Sequence, residues 1–312
     1  MSLSTPGVVR EAINPFLLSK GTAHKVSGLY ELLIFSSALL GMAGMGMVYI
    51  SSFLQGIPCI PAALAIGFLV PFAVYNLNRK TDHSEDAVNH QDRFTFTTRF
   101  DGPLSVLAFL AYTAAYLIAF PFGALSIFVV SIPLICGALY SIRWIPPPSP
   151  FRRLKEIPVM KNIIVAFTWS SVSALLPVCL LHGSPGIKTG IVFIFFFSYV
   201  ITSTTIPDIR DREGDALAGV RTIPVLIGTE NTRRLLIAIN LLVGAVVIAK
   251  SSSIMTFMVV LILGIAVLYT QFCIQIFDRV NKKDFICDFL IDGQFVIFGV
   301  AIFTLSILRL LP

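Results

Sequence analysis

The chain has 312 residues, of which 56% are hydrophobic and 13% charged, and its mean hydropathy of +0.85 is too high for a water-soluble domain of this length. This composition excludes an ordinary soluble enzyme and makes the lipid bilayer the expected solvent. The formal net charge of +6 follows from the distribution of basic residues described below and gives no indication of nucleic-acid binding.

Nine apolar stretches are long enough to cross a bilayer as helices, which takes about 17 to 25 residues. They run approximately over Leu29–Ser51, Pro58–Leu77, Pro103–Phe120, Gly123–Tyr140, Asn162–Leu181, Gly186–Ile206, Leu235–Ala249, Ser253–Phe277 and Leu290–Leu311, the seventh being short. No small-residue cleavage pattern follows the first stretch, so we expect a retained helix preceded by a cytoplasmic lead over residues 1–28. The predicted fold class is all-α, a multi-pass membrane protein with nine transmembrane helices.

Basic residues are confined almost entirely to alternate loops. All 23 except Lys188, Lys250 and Arg309 fall before helix 1 or in the loops after helices 2, 4, 6 and 8. Because basic residues accumulate in cytoplasmic loops, this pattern predicts a cytoplasmic N-terminus and an external C-terminus in the cell membrane. The 17 acidic residues share the same side, so any chemistry is expected there.

The loop after helix 2, over residues 78–102, begins with polar residues at helical spacing. Asn78, Asp82 and Asp86 are each four residues apart, so on a helix they would form a stripe along one face.

The loop after helix 6, over residues 207–234, carries a second set. Asp208, Asp211 and Asp215 follow an i, i+3, i+7 pattern and would form a second stripe. We expect Pro207 to break the end of helix 6 and to start a new helical turn.

Acids at this spacing are typical of a metal site that binds a phosphorylated ligand. Like carboxylates repel one another unless a cation lies between them. Mg²⁺ prefers oxygen ligands and is usually held by a few carboxylates, with phosphate oxygens and water completing its coordination. Two facing stripes could therefore bind Mg²⁺ and, through it, a diphosphate, helped by the interleaved cations Arg79, Lys80, Arg210 and Arg212. The structural alternative is that both runs are solvated charges at the membrane surface.

These motifs resemble those of the UbiA superfamily of intramembrane prenyltransferases. The resemblance rests on Asn-x-x-x-Asp-x-x-x-Asp from Asn78 to Asp86, and on the run from Asp211 through Asp215 to Gly228, in a nine-helix chain. The loop after helix 4 adds a tyrosine-to-lysine segment from Tyr140 to Lys155.

The resemblance implies a single domain over residues 1–312, with the helices around a central cavity and a cytoplasmic cap over the aspartates. It implies Mg²⁺-dependent transfer of a prenyl group from an isoprenoid diphosphate to an aromatic or lipid acceptor. Such an enzyme is a prenyltransferase, within the class that transfers alkyl or aryl groups other than methyl. The implied metal ligands are Asn78, Asp82, Asp86, Asp211 and Asp215. The implied catalytic residues are Asp208, as an extra ligand or a base, with Tyr140 and Lys155. The implied substrate-binding residues are Asn78, Arg79, Arg153, Lys155 and Arg212.

The sequence departs from the family pattern where the acceptor and the diphosphate are expected. Arg79 follows Asn78 where many members have an aspartate, and Asp92-Arg93-Phe94 stands where an Arg-Pro pair is common. These differences leave the class of acceptor open. The prenyl chain length and the oligomeric state are not specified by the sequence. No nucleic-acid or protein partner is predicted.

Other interpretations remain open at this point. A cation transporter or channel could use the acidic loops as an ion site, although transporter sites usually lie near the membrane midplane. A membrane CDP-alcohol phosphotransferase also uses aspartates and Mg²⁺, but the glycine-containing acid motif of that family is absent from the sequence. Asp288 and Asp292, at the start of helix 9, are explained equally well by function and by their helix N-terminus.

Overall fold

The computed structural model describes residues 28–29, 32–79, 91–149, 151–217, 219–277 and 286–311. Within these segments there is no β-strand, and nine helices are long and apolar enough to cross a membrane, which confirms the predicted all-α, multi-pass fold. In chain order the helices are α1 (Ala38–Gln55), α2 (Pro61–Arg79), α3 (Gln91–Arg99), α4 (Asp101–Ala119), α5 (Ala124–Ser141), α6 (Met160–Leu180), α7 (Ile187–Arg210), α8 (Arg212–Leu217), α9 (Ile223–Ile227), α10 (Thr229–Ser251), α11 (Phe257–Ile276) and α12 (Gln294–Ile307), with a π-helical segment over Ile286–Asp292 before α12.

The spans pack mainly against their neighbours in the chain. Helix α1 contacts α2, α6 and α12, while α7 contacts α6 and α10, so α1, α6 and α7 form the interior of the bundle. We call the end of the bundle at which α2, α5, α7 and α11 finish the motif end, because both acidic motifs follow helices that finish there. The short helices α3, α8 and α9 connect spans at this end.

Glycines allow the central helices to approach each other closely. A Cβ atom added at Gly44 would lie 2.4 Å from the carbonyl oxygen of Gly67 on α2, and one added at Gly46 would lie 2.3 Å from that of Phe295 on α12. Membrane helices gain little from hydrophobic burial against one another and depend on such close packing. The position of α1 between α2 and α12 therefore requires these glycines.

The first apolar stretch is not one continuous helix. Residues 32–35 are helical, Ser36 and Ser37 form a turn, and α1 begins at Ala38. Ser37 has a left-handed backbone (φ 63°), and the amide of Ala38 donates to Ser36 Oγ at 3.4 Å. The serine pair thus ends the first helical segment within the stretch predicted as a single span.

The sixth span ends later than the sequence predicts. Helix α7 continues through Pro207 to Arg210, and the chain leaves the helix only at Asp211. A proline removes one backbone donor, and membrane helices tolerate this loss where neighbouring groups compensate. The prediction that Pro207 starts a new turn was wrong: α8 begins at Arg212.

The seventh span is longer than its apolar stretch. Helix α10 begins at Thr229, where Glu230 pairs with Arg233 and, at 3.1 Å, with Arg234. The hydroxyl of Thr232 also donates to the Gly228 carbonyl at 2.7 Å. These polar contacts extend the helix beyond the part that hydropathy detects.

Candidate active site

The second acidic motif is divided between α7, its C-terminal cap and α8. Asp208 lies on α7 and Asp215 on α8, and both are buried, whereas Asp211 is the cap residue between the two helices. The amide of Asp215 donates to the carbonyl of Asp211 at 2.8 Å, so the helical spacing of these two acids survives the break. Asp208 and Asp211 are both close enough to Asp215 to act on it electrostatically.

Asp215 has an environment that disfavours its own negative charge. Burial, together with the nearby carboxylates of Asp208 and Asp211, raises the pKa of Asp215 from 3.8 to about 6, even though Lys161 and the nearby Thr222 hydroxyl act in the opposite direction. A carboxylate in this situation gains from a cation placed beside it.

Asp208 and Asp211 are each engaged by a basic residue. Lys161 Nζ lies 2.7 Å from Asp208 Oδ1, and Asn162 Nδ2 donates to Asp208 Oδ2 at 2.8 Å. Arg210 Nε and Nη2 donate to the two carboxylate oxygens of Asp211 at 2.7 and 3.0 Å. Both carboxylates are therefore held in fixed orientations.

The first motif is only partly described. Asn78 lies in the last turn of α2 and faces α5, where a Cβ atom at Gly137 would be 3.8 Å from Asn78 Oδ1. The predicted ligands Asp82 and Asp86, and also Lys80, lie outside the described residues. Arg79, predicted to bind substrate, donates to the carbonyl of Phe35 and, at 3.1 Å, to that of Ile34.

The segment between α5 and α6 places a lysine on a tyrosine ring. Lys155 is buried, and its Nζ lies 5.9 Å from the centre of the Tyr140 ring. Arg153 Nε donates to Glu156 Oε1 at 3.0 Å, so this residue is oriented by the loop itself. Arg212 is exposed on α8.

A second polar cluster joins the two motif helices, and the sequence analysis did not assign it. Asp292, in the π-helical segment, interacts electrostatically with Asp288, with Arg210 of α7 and with Arg93 of α3, and it also acts on Tyr75 of α2. Residues from the ends of α2 and α7 therefore converge at the motif end. The signal for this cluster was the four-residue spacing of Asp288 and Asp292.

Lys161 and Asn162 were also missed as site residues. They open α6, where a lysine and an asparagine at the boundary of a span are unremarkable in sequence. Their contact with Asp208 depends on the packing of α6 against α7, which spacing along the chain does not reveal.

The described carboxylates supply part of a metal site. Within the residues that the structure describes, no three His, Cys, Asp or Glu side chains are grouped closely enough to hold an ion by themselves. Asp211 and Asp215 nevertheless provide hard oxygen donors, and burial beside two other carboxylates raises the pKa of Asp215. This chemistry fits Mg²⁺ whose remaining ligands come from another part of the chain and from phosphate.

An apolar cavity of about 610 Å³, open at the surface of the bundle, lies between α5, α6 and α7. Its lining is aromatic, aliphatic and small, and consists of Phe128, Ile132, Ile135, Cys136, Phe167, Ser171, Leu175, Pro185, Gly186, Thr189, Gly190 and Phe193. Cys136 precedes Gly137, which faces Asn78, so one end of the cavity lies near the first motif.

Comparison with known proteins gives concordant matches. The profile of the UbiA prenyltransferase family matches residues 32–292. Digeranylgeranylglyceryl phosphate synthase from Methanosarcina mazei is 30% identical over 194 residues, which span 61% of this chain and 63% of the relative's length. The enzyme of the same name from Natronomonas pharaonis is 25% identical over 232 residues, or 72% of this chain and 76% of that protein.

The fold has a counterpart among solved structures. A UbiA homologue from Archaeoglobus fulgidus, solved with GPP and Mg²⁺, superposes with a TM-score of 0.62 at 16% identity, covering 86% of this chain and 99% of the homologue. At this identity the match establishes the arrangement of the helices.

Proposed function

Because this chain belongs to the UbiA prenyltransferase family, we propose that it transfers a prenyl group from an isoprenoid diphosphate to a lipid acceptor within the membrane, in a reaction that requires Mg²⁺. The proposed enzyme is a single domain over residues 1–312, with its motif end in the cytoplasm and its C-terminus outside. The observation that carries this proposal is the convergence of groups from α2, α3 and α7 on Asp292, whose partner Arg210 also binds Asp211 of the second motif.

The proposed metal ligands are Asn78, Asp82 and Asp86 from the first motif, with Asp211 and Asp215 from the second. The raised pKa of Asp215 supports this assignment, because a carboxylate that is costly to ionise alone is stabilised by a bound cation. When bound, Mg²⁺ would neutralise charge on the diphosphate and so make it a better leaving group.

Cationic side chains would contact the diphosphate on the side that faces away from Mg²⁺. Lys155 is fixed against Tyr140, and the pair would lie beside the reacting end of the donor. Arg153 would add a guanidinium contact. We assign neither Arg79 nor Arg212 to the diphosphate, since Arg79 donates to main-chain carbonyls and Arg212 lies on the exposed face of α8.

The prenyl chain would occupy the apolar cavity between α5, α6 and α7. A donor carbon that carries positive charge during transfer must be kept away from water, and this cavity is lined by Phe128, Phe167 and Phe193. Its position near Asn78 would bring the first carbon of the chain to the motif end while the tail extends towards the opposite side.

The acceptor we favour is a glyceryl phosphate lipid with a free hydroxyl group. The two curated relatives are named for a product that carries two geranylgeranyl groups on glyceryl phosphate, and the sequence shares their family. In the reaction the allylic C–O bond breaks with its electron pair leaving on the diphosphate, the acceptor oxygen bonds to the allylic carbon, and the hydroxyl proton is released. An aromatic acceptor is the competing possibility.

The proposal is tested with the purified full-length chain in lipid nanodiscs. We expect Mg²⁺-dependent transfer from geranylgeranyl diphosphate to a glyceryl phosphate lipid in preference to hydroxybenzoate. Asp82→Ala and Asp211→Ala should each reduce turnover at least about 100-fold, whereas Glu230→Gln, an exposed acid at the same end, should not. Turnover that survives both alanine substitutions would refute the metal site, and Mg²⁺ flux into proteoliposomes without prenyl transfer would favour a transporter.

A further inference from the structure

A buried cluster of three polar residues joins the start of α6 to the end of α7. Lys161 Nζ lies 2.7 Å from Asp208 Oδ1, and Asn162 Nδ2 lies 2.8 Å from Asp208 Oδ2. Asn162 Nδ2 also lies 3.2 Å from the hydroxyls of Thr204 and Thr205. The two oxygens of Asp208 are thus both used within the protein, which argues against its predicted role as a free metal ligand or base.

The cation of this cluster is its accessible part. The side chain of Lys161 is 31% exposed, whereas that of Asp208 is 5% exposed. A lysine ammonium has three donors, and one of them is directed to Asp208. The carboxylate of Asp208 therefore holds the ammonium in place from the buried side, and the amide of Asn162 holds that carboxylate.

Lys161 lies close to residues from two parts of the proposed site, the second acidic motif and the segment between α5 and α6. It interacts electrostatically with Asp215 of the second motif and with Tyr140, the residue on which Lys155 is packed. Sequence reasoning assigned roles to those residues and none to Lys161.

The cluster also contains a buried hydrogen-bond acceptor, the side-chain oxygen of Asn162. Asn162 is 1% exposed, and its Oδ1 has no hydrogen-bond partner among the described residues. An amide oxygen accepts hydrogen bonds and cannot bind a phosphate oxygen, so the group of this cluster that suits a diphosphate is the ammonium of Lys161.

We propose that Lys161 contacts the diphosphate of the donor, and that Asp208 and Asn162 are positioning residues that fix its ammonium at the motif end. This inference rests on the proposed function. Negative charge develops on the diphosphate oxygen as the allylic C–O bond breaks, and a cation already held in place stabilises that charge without reorganisation. The remaining donors of Lys161 suit phosphate oxygens.

The alternative role for Lys161 is to neutralise Asp208, and a charge-matched variant separates the two roles. Lys161→Met alone leaves a buried carboxylate without its cation and is expected to lower the unfolding temperature. The double variant Lys161→Met/Asp208→Asn removes both charges and should recover that temperature. Lys161→Arg retains the charge, and Lys250→Met, an exposed lysine at the opposite end of the bundle, is the matched control.

The readouts are Mg²⁺-dependent binding of geranyl diphosphate to the full-length chain and competition by inorganic diphosphate. We expect the affinity of the double variant for both probes to fall about 10- to 100-fold, Lys161→Arg to recover part of the loss, and Lys250→Met to match the wild type. Wild-type affinity in a folded double variant would overturn the inference while leaving the proposed function intact. Failure of the wild type itself to bind geranyl diphosphate with Mg²⁺ would overturn both.

Discussion

Arg210 and Asp211 are adjacent in the chain and form a two-point ion pair, in which Nε and Nη2 donate to the two carboxylate oxygens at 2.7 and 3.0 Å. The same guanidinium acts electrostatically on Asp292. One arginine thus links the second motif to the acids at the start of the last span, and it competes with any cation for Asp211.

Replacing Arg210 should therefore strengthen metal binding in the absence of diphosphate. We expect Arg210→Gln to tighten Mg²⁺ binding several-fold, because a positive charge next to the carboxylates is removed. Calorimetric titration of the substrate-free chain measures this. Arg234→Gln, which changes an exposed arginine of the same end whose ion pair in the described residues is with Glu230, should leave the affinity unchanged. Weaker Mg²⁺ binding in Arg210→Gln would contradict the prediction.

The pKa of Asp215 predicts a pH dependence of metal binding. Burial and its acidic neighbours raise this pKa from 3.8 to about 6, so below that pH a proton must leave before Mg²⁺ binds. We expect the affinity for Mg²⁺ to fall up to about tenfold per pH unit below pH 6, with proton release on binding, and to level off above pH 7.

The stability of the metal-free protein should decrease as the pH rises, whereas the affinity for Mg²⁺ increases. A carboxyl group with a raised folded-state pKa stabilises the fold most below its ordinary pKa of 3.8, and that contribution is lost as the pH rises through about 6. In thermal unfolding without Mg²⁺, Asp215→Asn should show a smaller decline between pH 4 and 7 than the wild type. Equal declines in the two proteins would show that Asp215 is not the titrating group.

Arg79 offers a direct choice between a structural and a substrate-binding role. Its guanidinium donates to the carbonyls of Phe35 and Ile34, and Asn76 donates to that of Ser36 at 2.9 Å, so the break before α1 is held by α2. We expect Arg79→Met to destabilise the protein by about 1.5–3 kcal/mol with an unchanged KM for the donor. A raised KM at unchanged stability would instead support the diphosphate contact that the sequence predicts.

The contact between α1 and α12 should be sensitive to a single methyl group. A Cβ atom at Gly46 would lie 2.3 Å from the Phe295 carbonyl oxygen, so Gly46→Ala should cost about 1–3 kcal/mol as the helices separate. A Cβ atom added at Gly264 of α11 would meet nothing within 4 Å, so Gly264→Ala should be neutral or slightly stabilising. Unfolding in detergent compares the two, and similar stabilities would refute the close approach.

The cavity between α5, α6 and α7 predicts that the protein selects its donor by the length of the prenyl group. A Cβ atom at Gly190 meets nothing within 4 Å, although the residue lines this cavity, so Gly190→Leu should fold and narrow it. We expect kcat/KM for geranylgeranyl diphosphate to fall about tenfold or more relative to that for geranyl diphosphate. An unchanged ratio would place the prenyl chain elsewhere, and Gly264→Leu is the control.

Sequence patterns predicted that Asp211 and Asp215 would lie close together, but not which groups hold the acids of the motif. The spacing of the two acids is enough for that prediction, because local helical geometry is nearly the same in any helix. Arg210 was named only as an interleaved cation, and Lys161 and Asn162 were missed, since their importance comes from contacts with Asp208 across two helices. Arg79 was assigned to substrate by its place in the motif, whereas its hydrogen bonds include two to carbonyls at the end of a helical segment, 44 and 45 residues earlier in the chain.

The amino-acid sequence determined that the described part of the chain has nine helices long and apolar enough to cross a membrane and that most charges gather at one end, because hydrocarbon excludes charged groups whatever the packing. Tertiary structure alone decided which of those charges meet. Helix contacts bring Lys161 to Asp208 and place Asp292 near Arg93 and Arg210, and these contacts depend on how pairs of helices pack, which no single stretch of sequence determines.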